Sequence, residues 1–181
     1  SEEEKARRER QRIRSRGIVE FSWGPDASSL LIPLAGDIFH VDLRGDEPYI
    51  RQLTQSDAFE TDARLSPKGN YASFIRDGGL WIVDTKTGKE RPISSAGNDS
   101  IRYGVAEFVA QEEMGRNTGY WWSPDEAYIA YTLVDESAVD TVQRFDINAE
   151  GVTAIEQRYP RAGTTNATVK LRIQPVKGER T

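Results

Sequence analysis

The sequence has no cysteine and only one histidine, and both shortages exclude chemistry. Without cysteine there can be no disulfide, no thiol nucleophile and no thiolate ligand for zinc. The single histidine, His40, lies in GDIFHVDL, where apolar and polar residues alternate as they do on a strand. No G-x-S-x-G motif occurs in the chain. We therefore interpret His40 as a strand residue and not as the base of a serine hydrolase triad.

Long apolar runs and a basic charge balance are also missing. No stretch approaches the roughly 18 consecutive apolar residues that indicate a membrane-spanning helix. The net charge is −5, which argues against nucleic acid as the main partner, because phosphates are bound by basic surfaces. The acids of DNAEGVTA lack the spacing of a calcium loop. The sequence thus predicts a globular chain with no membrane partner, no nucleic-acid partner, no metal and no cofactor.

What the sequence does contain is a repeat. Three segments share one pattern: FSWGPDASSLLIPLAGDIFHVDL, ARLSPKGNYASFIRDGGLWIVDT and YWWSPDEAYIAYTLVDES. Each has an apolar residue two positions before a proline, then a turn and an apolar strand. The first two prolines, Pro25 and Pro67, are 42 residues apart, and each is followed 17 positions later by the aspartate that ends an aromatic-x-Val-Asp strand, Asp42 or Asp84.

The repeat predicts an all-β fold. Proline fits the second position of a tight turn, so each unit is interpreted as strand, proline turn, strand, glycine turn, strand and a short last strand ending RQLT or RPIS. A period of 42 lies within the roughly 40 to 50 residues of β-propeller blades. We predict a partial β-propeller of about four blades, each with four antiparallel strands. A β-sandwich with recurring turns is the alternative.

The third unit is displaced by an insertion that carries two adjacent acids. Pro67 and Pro124 are 57 residues apart, which leaves 15 extra residues before YWWSPD. They include VAEFVAQEEMG, whose good helix formers and final Gly115 predict a short inserted helix with Glu112 and Glu113 in its last turn. Insertions in repeat proteins tend to emerge on one face, often the binding face.

Local stability does not explain this glutamate pair, because the dipole of a helix disfavours anions near its C-terminus. Two carboxylates at a helix end can receive one compact cation with several N–H donors, such as the α-ammonium group of a peptide. Each contact at about 4 Å with an effective dielectric near 20 is worth about 4 kcal/mol before desolvation. The alternative is an acidic turn that only faces water.

At these residues the chain resembles a known family. AEFVAQEEM, YWWSPD, YIAYTLVDES and RYPRAGTTNATVKL are similar to the dipeptidyl peptidase IV family of prolyl oligopeptidase-class serine peptidases, over about residues 17 to 175. The resemblance implies an N-terminal propeller that covers a C-terminal α/β-hydrolase domain and release of dipeptides with proline or alanine second. It also implies that Glu112 and Glu113 bind the free amino group of the substrate.

The sequence departs from the family in its extent. The catalytic serine, aspartate and histidine belong to the hydrolase domain, which this sequence lacks, so we expect peptidase activity only in a full-length protein. We divide the chain into a charged helix over 1–16 and an incomplete propeller over 17–181. The implied partners are peptides with a free N-terminus, the hydrolase domain and a second copy in a homodimer, in a periplasmic or secreted location. A non-catalytic propeller module that binds protein or peptide is the alternative.

Family members also place an arginine near the two glutamates to hold a substrate carbonyl, and the matching segment here, LLIPLAGD, has none. The N-terminal EEEKARRERQRIRSRG predicts a helix that stops at Gly17. Arg7, Arg10 and Arg14 share one of its faces. We hypothesise that Arg10, or a neighbour on that face, supplies the missing donor. The alternative is a basic helix that is solvated or packed on the propeller rim.

Overall fold

A computed structural model describes residues 17–149 and 151–177 of the chain. The helix expected over 1–16, which includes Arg10, lies outside these residues. The helix and the role of Arg10 therefore remain predictions. The described residues form fourteen strands and one short helix. The strands are β1 (Ser22–Trp23), β2 (Ser29–Leu34), β3 (Asp37–Asp42), β4 (Tyr49–Gln52), β5 (Thr61–Leu65), β6 (Tyr71–Arg76), β7 (Gly79–Asp84), β8 (Glu90–Pro92), β9 (Ile101–Tyr103), β10 (Tyr120–Trp122), β11 (Tyr128–Asp135), β12 (Thr141–Asn148), β13 (Gly151–Arg158) and β14 (Thr168–Pro175). The helix, α1, is Phe108–Glu112.

The strands form antiparallel sheets that repeat along the chain, which confirms the partial β-propeller. Blade 1 has the order β1-β2-β3-β4, and blade 2 has the order β5-β6-β7-β8. In blade 3, β14 covers one edge of β11, while β9 and β10 share the other edge. The fourth sheet of the described residues is a hairpin in which β12 and β13 pair with each other. The count of four sheets thus includes three four-stranded blades and one two-stranded hairpin.

The proline turns explain why the repeat is visible in the sequence. The second residue after each proline has a positive φ, at Ala27 (55°), Gly69 (74°) and Glu126 (63°). The turns between the second and third strands of blades 1 and 2 are also alike, since Ala35–Gly36 and Asp77–Gly78 have positive φ at both residues. Such two-residue turns match the right-handed twist of the strands they join.

The hydrophobic core lies between neighbouring blades, so blade 2 is packed from both sides. One cluster joins blades 1 and 2, and its buried members are Leu31, Ile38, Leu53, Ala63, Ala72, Phe74 and Val83. A second cluster joins blades 2 and 3, and its buried members are Ile75, Leu80, Ile82, Ile93, Tyr120, Ile129, Tyr131 and Val176. Alternate residues of β6 and β7 therefore pack on opposite neighbours.

Polar contacts tie blade 3 to blade 2 at both ends of the interface. At one end, the Glu126 carboxylate accepts hydrogen bonds from the Lys68 backbone N–H (2.7 Å) and from Asn70 Nδ2 (2.8 Å). Towards the other end, the Tyr120 hydroxyl donates to the Asp62 carbonyl and to the Ser73 carbonyl. The first of these hydrogen bonds joins the first strand of blade 3, β10, to the first strand of blade 2, β5. This is the arrangement expected around the axis of a propeller.

Candidate functional site

The insertion that carries the glutamate pair interrupts the first strand of blade 3. Tyr103 of β9 pairs with Leu133 of β11, and Tyr120 of β10 pairs with Tyr131 of β11. These two registers differ by 15 residues, so residues 104–118 are looped out of what is otherwise one continuous strand. The 15 extra residues expected from the proline spacing are thus accounted for in full.

A single residue of β11 closes the base of this insertion. The Thr132 N–H donates to the Gly119 carbonyl (2.8 Å), and the Thr132 carbonyl accepts from the Gly104 N–H (2.8 Å). Its hydroxyl donates to the Val105 carbonyl (2.7 Å). Gly119 has no room for a side chain, because a Cβ there would lie 2.2 Å from the Val105 carbonyl oxygen. The two ends of the insertion are therefore held close together.

The inserted helix has the form that the sequence predicted. Helix α1 is little more than one turn long, Glu113 is its C-cap, and Gly115 follows with a φ of +64°. The backbone N–H of Arg116 then donates to the Ala110 carbonyl (2.9 Å). Residues 110–116 consequently form a closed loop at the end of the helix, and both glutamates lie on that loop.

Glu112 and Glu113 are both exposed to solvent. Neither side chain makes a hydrogen bond or an ion pair with any other residue that the structure describes. The loop that carries them emerges from the β9–β10 edge of blade 3, and not from the opposite edge, which β14 forms. The structure thus brings the two acids onto one loop with no cation beside them, and their role as a binding site stays a prediction.

Arg116, the first basic residue after the glutamate pair, makes its contacts with other residues. Arg116 Nη2 lies 3.0 Å from Glu107 Oε2, and Arg116 Nη1 donates to the Thr118 carbonyl (2.8 Å). Glu107 is the N-cap of α1, yet its side chain caps no helical N–H. Sequence analysis did not identify Glu107, because a contact across nine residues and a helix leaves no periodic signal.

Blade 3 carries a second insertion close to the first. In blade 2, the paired residues Arg76 and Gly79 flank the two-residue turn Asp77–Gly78. In blade 3, the corresponding connection runs between the paired residues Asp135 and Thr168 and contains residues 136–167. This segment includes the β12–β13 hairpin. The first insertion leaves the blade opposite Thr132, three residues before Asp135, where the second insertion begins.

The two insertions contact each other. The rings of Phe108 in α1 and Tyr159 after β13 meet edge to face, with centroids 4.9 Å apart. A cavity of about 180 Å³ lies beside them, lined by Val139 and Pro160 among others. A larger cavity of about 640 Å³ opens between the insertions and β5. Its lining includes the ion pair Arg102–Glu136 (2.7 Å) together with Asp62, Arg144 and Arg158.

His40 lies on β3, paired with Leu31 and Arg51, and burial lowers its pKa, so it is neutral at pH 7. Within residues 17–149 and 151–177 no group of three or more His, Asp or Glu side chains is arranged to hold a metal ion. The same residues include no helix whose length and hydropathy would let it cross a membrane.

The three blades and their two insertions define a partial β-propeller domain. The sequence profile of the dipeptidyl peptidase IV N-terminal region matches residues 25–181, and the chain belongs to that family. It is 30% identical to dipeptidyl peptidase 8 of mouse and also to that of human, over 97% of this chain and 22% of each relative. It is 34% identical to the probable dipeptidyl peptidase 4 of Aspergillus flavus over 61% of this chain and 15% of the relative.

A solved structure supports the fold independently. The crystal structure of Porphyromonas gingivalis dipeptidyl peptidase 4 matches with a TM-score of 0.74 and 21% identity, over 91% of this chain and 26% of that chain. The chain spans about a fifth of the length of the dipeptidyl peptidase 8 relatives it matches.

Proposed function

We propose that this chain is the substrate-binding part of the propeller of a serine-type dipeptidyl aminopeptidase. The full-length protein would release X-Pro and X-Ala dipeptides from the N-termini of peptides, with a nucleophilic serine supplied by a C-terminal α/β-hydrolase domain. Membership of the family and the names of the relatives, dipeptidyl peptidases and dipeptidyl-aminopeptidases, support this proposal.

The observation that carries the proposal is the uncompensated glutamate pair on the blade 3 insertion. Glu112 and Glu113 are adjacent, exposed and without a cationic partner among the described residues. A peptide ammonium group has a reference pKa of about 7.7 to 8.0, so much of it is charged near neutral pH. It would bring the positive charge and the N–H donors that the two carboxylates lack. When a hydrolase domain covers the insertion and excludes water, each of these contacts becomes stronger.

The same arrangement accounts for the release of short N-terminal fragments. A substrate that presents a blocked or internal amide brings no charge to the two carboxylates, which would then be desolvated without compensation. The pair would therefore act both as an anchor for the first residue and as a gate against peptides without a free N-terminus. The distance from this anchor to the serine would set how many residues are released.

The proposal is tested by removing one charge at a time from the full-length protein. We expect Glu112→Gln and Glu113→Gln each to lower kcat/KM for a Gly-Pro or Ala-Pro chromogenic substrate by about tenfold or more, since a charged hydrogen-bond partner is lost. Glu47→Gln, which changes another exposed glutamate, is the matched control and should stay within twofold. An effect below twofold for both Glu112→Gln and Glu113→Gln would contradict the assignment. Absence of hydrolysis by the full-length wild type would favour a binding module instead.

A second copy of the protein is a further partner in this proposal. The β12–β13 hairpin carries apolar side chains on one face, at Phe145, Ile147 and Val152, which are 58%, 74% and 63% exposed. Burying them against a second copy would remove this apolar surface from water. Sedimentation of the full-length Phe145→Ser variant should show a shift from dimer to monomer.

The family resemblance also supports a periplasmic or secreted location, which fractionation of the source cells would test.

A further inference from the structure

Arg116 is the basic residue closest in sequence to the glutamate pair, only three positions after Glu113. Its backbone N–H closes the loop of residues 110–116 on which both acids lie. An arginine so placed would be expected to pair with one of them, because guanidinium and carboxylate groups form strong bidentate contacts. Yet no ion pair within the described residues joins Arg116 to Glu112 or Glu113.

The guanidinium of Arg116 is instead turned to the start of the same helix. It contacts Glu107 Oε2 at 3.0 Å and the Thr118 carbonyl at 2.8 Å. The side chains of Arg116 and Glu107 are 30% and 14% exposed, so the contact is partly shielded from water and salt. Glu107 occupies the N-cap position but caps no N–H. Among the described residues, the Glu107 carboxylate pairs with Arg116 alone.

The geometry points to Glu107 as a positioning residue that holds Arg116 away from Glu112 and Glu113, which leaves the pair free for the ammonium group of a substrate. This inference rests on the proposed function. Arg116 is tethered within the same loop, so once released it would compete with substrate at a high effective concentration. A bound substrate would displace it before the chemical step. Loss of Glu107 should therefore raise KM and leave kcat nearly unchanged.

The experiment is a double-mutant cycle in the full-length protein with an Ala-Pro chromogenic substrate. We expect Glu107→Gln to raise KM about three- to tenfold, with kcat within twofold of the wild type. Adding Arg116→Gln removes the competing charge, so the double variant should recover a KM within about twofold of the wild type. Arg116→Gln alone should also stay within twofold. Asp140→Asn is the matched control, because it breaks another 3.0 Å ion pair, with Arg161, on the second insertion.

Two results would overturn the inference. An unchanged KM in Glu107→Gln would show that Arg116 does not reach the pair, and an elevated KM that persists in the double variant would show that the ion pair only supports the loop. If Glu107→Gln fails to fold, Arg116→Gln alone decides, since a KM raised threefold or more would mean that the guanidinium aids binding. The Glu112→Gln and Glu113→Gln variants separate this test from the proposed function. If they lower kcat/KM as expected while Glu107→Gln does not alter KM, only the present inference fails.

Discussion

Blades 2 and 3 follow the same plan, yet only blade 3 carries the candidate site. In both, a proline turn joins the first strand to a longer second strand, β6 or β11. Blade 2 completes its first strand with a one-residue irregularity between Thr61 and Arg64, and turns from β6 to β7 in two residues. Blade 3 replaces these two features by residues 104–118 and 136–167. The two blades thus differ in their connections and not in the order of the strands that the connections join.

The points of insertion are those where the strand ladder already tolerates disturbance. The irregularity of blade 2 lies opposite Phe74, seven residues after Pro67, and the first insertion of blade 3 lies opposite Thr132, eight residues after Pro124. Asp62 in the irregular stretch has a φ of 51°, and bulges of this kind are common at sheet edges and beside active sites. The second insertion replaces a turn, where a longer connection adds little to the entropy cost of closing the loop.

The largest effect is expected from making blade 3 resemble blade 2. Deleting residues 104–118 in the full-length protein and joining Tyr103 to Gly119 would restore one continuous strand beside β11. We expect kcat/KM for an Ala-Pro chromogenic substrate to fall at least about a hundredfold, because two charged contacts of about 1.5 to 3 kcal/mol each disappear. Thermal unfolding should change little. The control is the Glu112→Gln/Glu113→Gln double variant, which keeps the insertion and removes only the two charges. Near-normal turnover by the deletion variant would refute the proposed role of the glutamate pair.

A smaller effect is expected from widening the base of the insertion. In Gly119→Ala, the new Cβ would lie 2.2 Å from the Val105 carbonyl oxygen and 2.5 Å from Thr132 Oγ1, so backbone must move. We expect a loss of stability of about 3 kcal/mol, as in other overpacked sites, seen as a lower midpoint of thermal unfolding in the full-length protein. Gly45→Ala, whose nearest contact would be 3.4 Å, should be within about 0.5 kcal/mol of the wild type. Equal midpoints for the two variants would argue against the pinched base.

The smallest effect concerns the proline turn that the blades share. Burial of Glu126 acts to raise its pKa, but hydrogen bonds from Ser66, Asn70 and the Lys68 N–H outweigh it, so the pKa lies below the ordinary value. The stability from Glu126 is therefore present above its unfolded pKa, about 4.3, and is lost as the pH falls through the folded value. We expect Glu126→Gln to lose about 1 to 2 kcal/mol at pH 7.

The pH dependence provides the check on that prediction. The difference in unfolding midpoint between the wild type and Glu126→Gln should begin to shrink as the pH falls below the unfolded pKa, about 4.3, and should vanish below the lowered pKa of the folded state. A difference that stays constant down to pH 3 would mean that the charge of Glu126 does not contribute. Glu47→Gln, which changes an exposed glutamate, is the comparison for a general effect of removing one acid.

The repeat and the first insertion could be predicted because their signals are local. Pro25 and Pro67 mark turns whose geometry depends on a few residues, and the spacing of 57 to Pro124 reports the insertion by simple counting. The short helix before Gly115 follows from residue propensities and a residue that tolerates positive φ. The sequence therefore predicts the blades, the position of the insertion and the presence of both acids on it.

The second insertion and the Glu107–Arg116 contact could not be predicted, because both depend on pairing over distance. The strands β12 and β13 alternate as blade strands do, and only the pairing of Asp135 with Thr168 shows that they stand outside the blade. That pairing joins residues 33 positions apart in the sequence. For the same reason a count of about four blades included a hairpin that pairs only with itself among the described residues. The Arg10 hypothesis concerns residues outside this part of the chain.

The base of the first insertion also provides a natural reporter. Thr132 gives its amide hydrogen to one side of the insertion and its carbonyl to the other. Any lifting of the acidic loop away from the sheet must expose that amide to solvent, while its neighbours in β11 remain paired with β14. Deuterium uptake at one backbone position would thus report, in the absence of any substrate, how often the acidic loop opens.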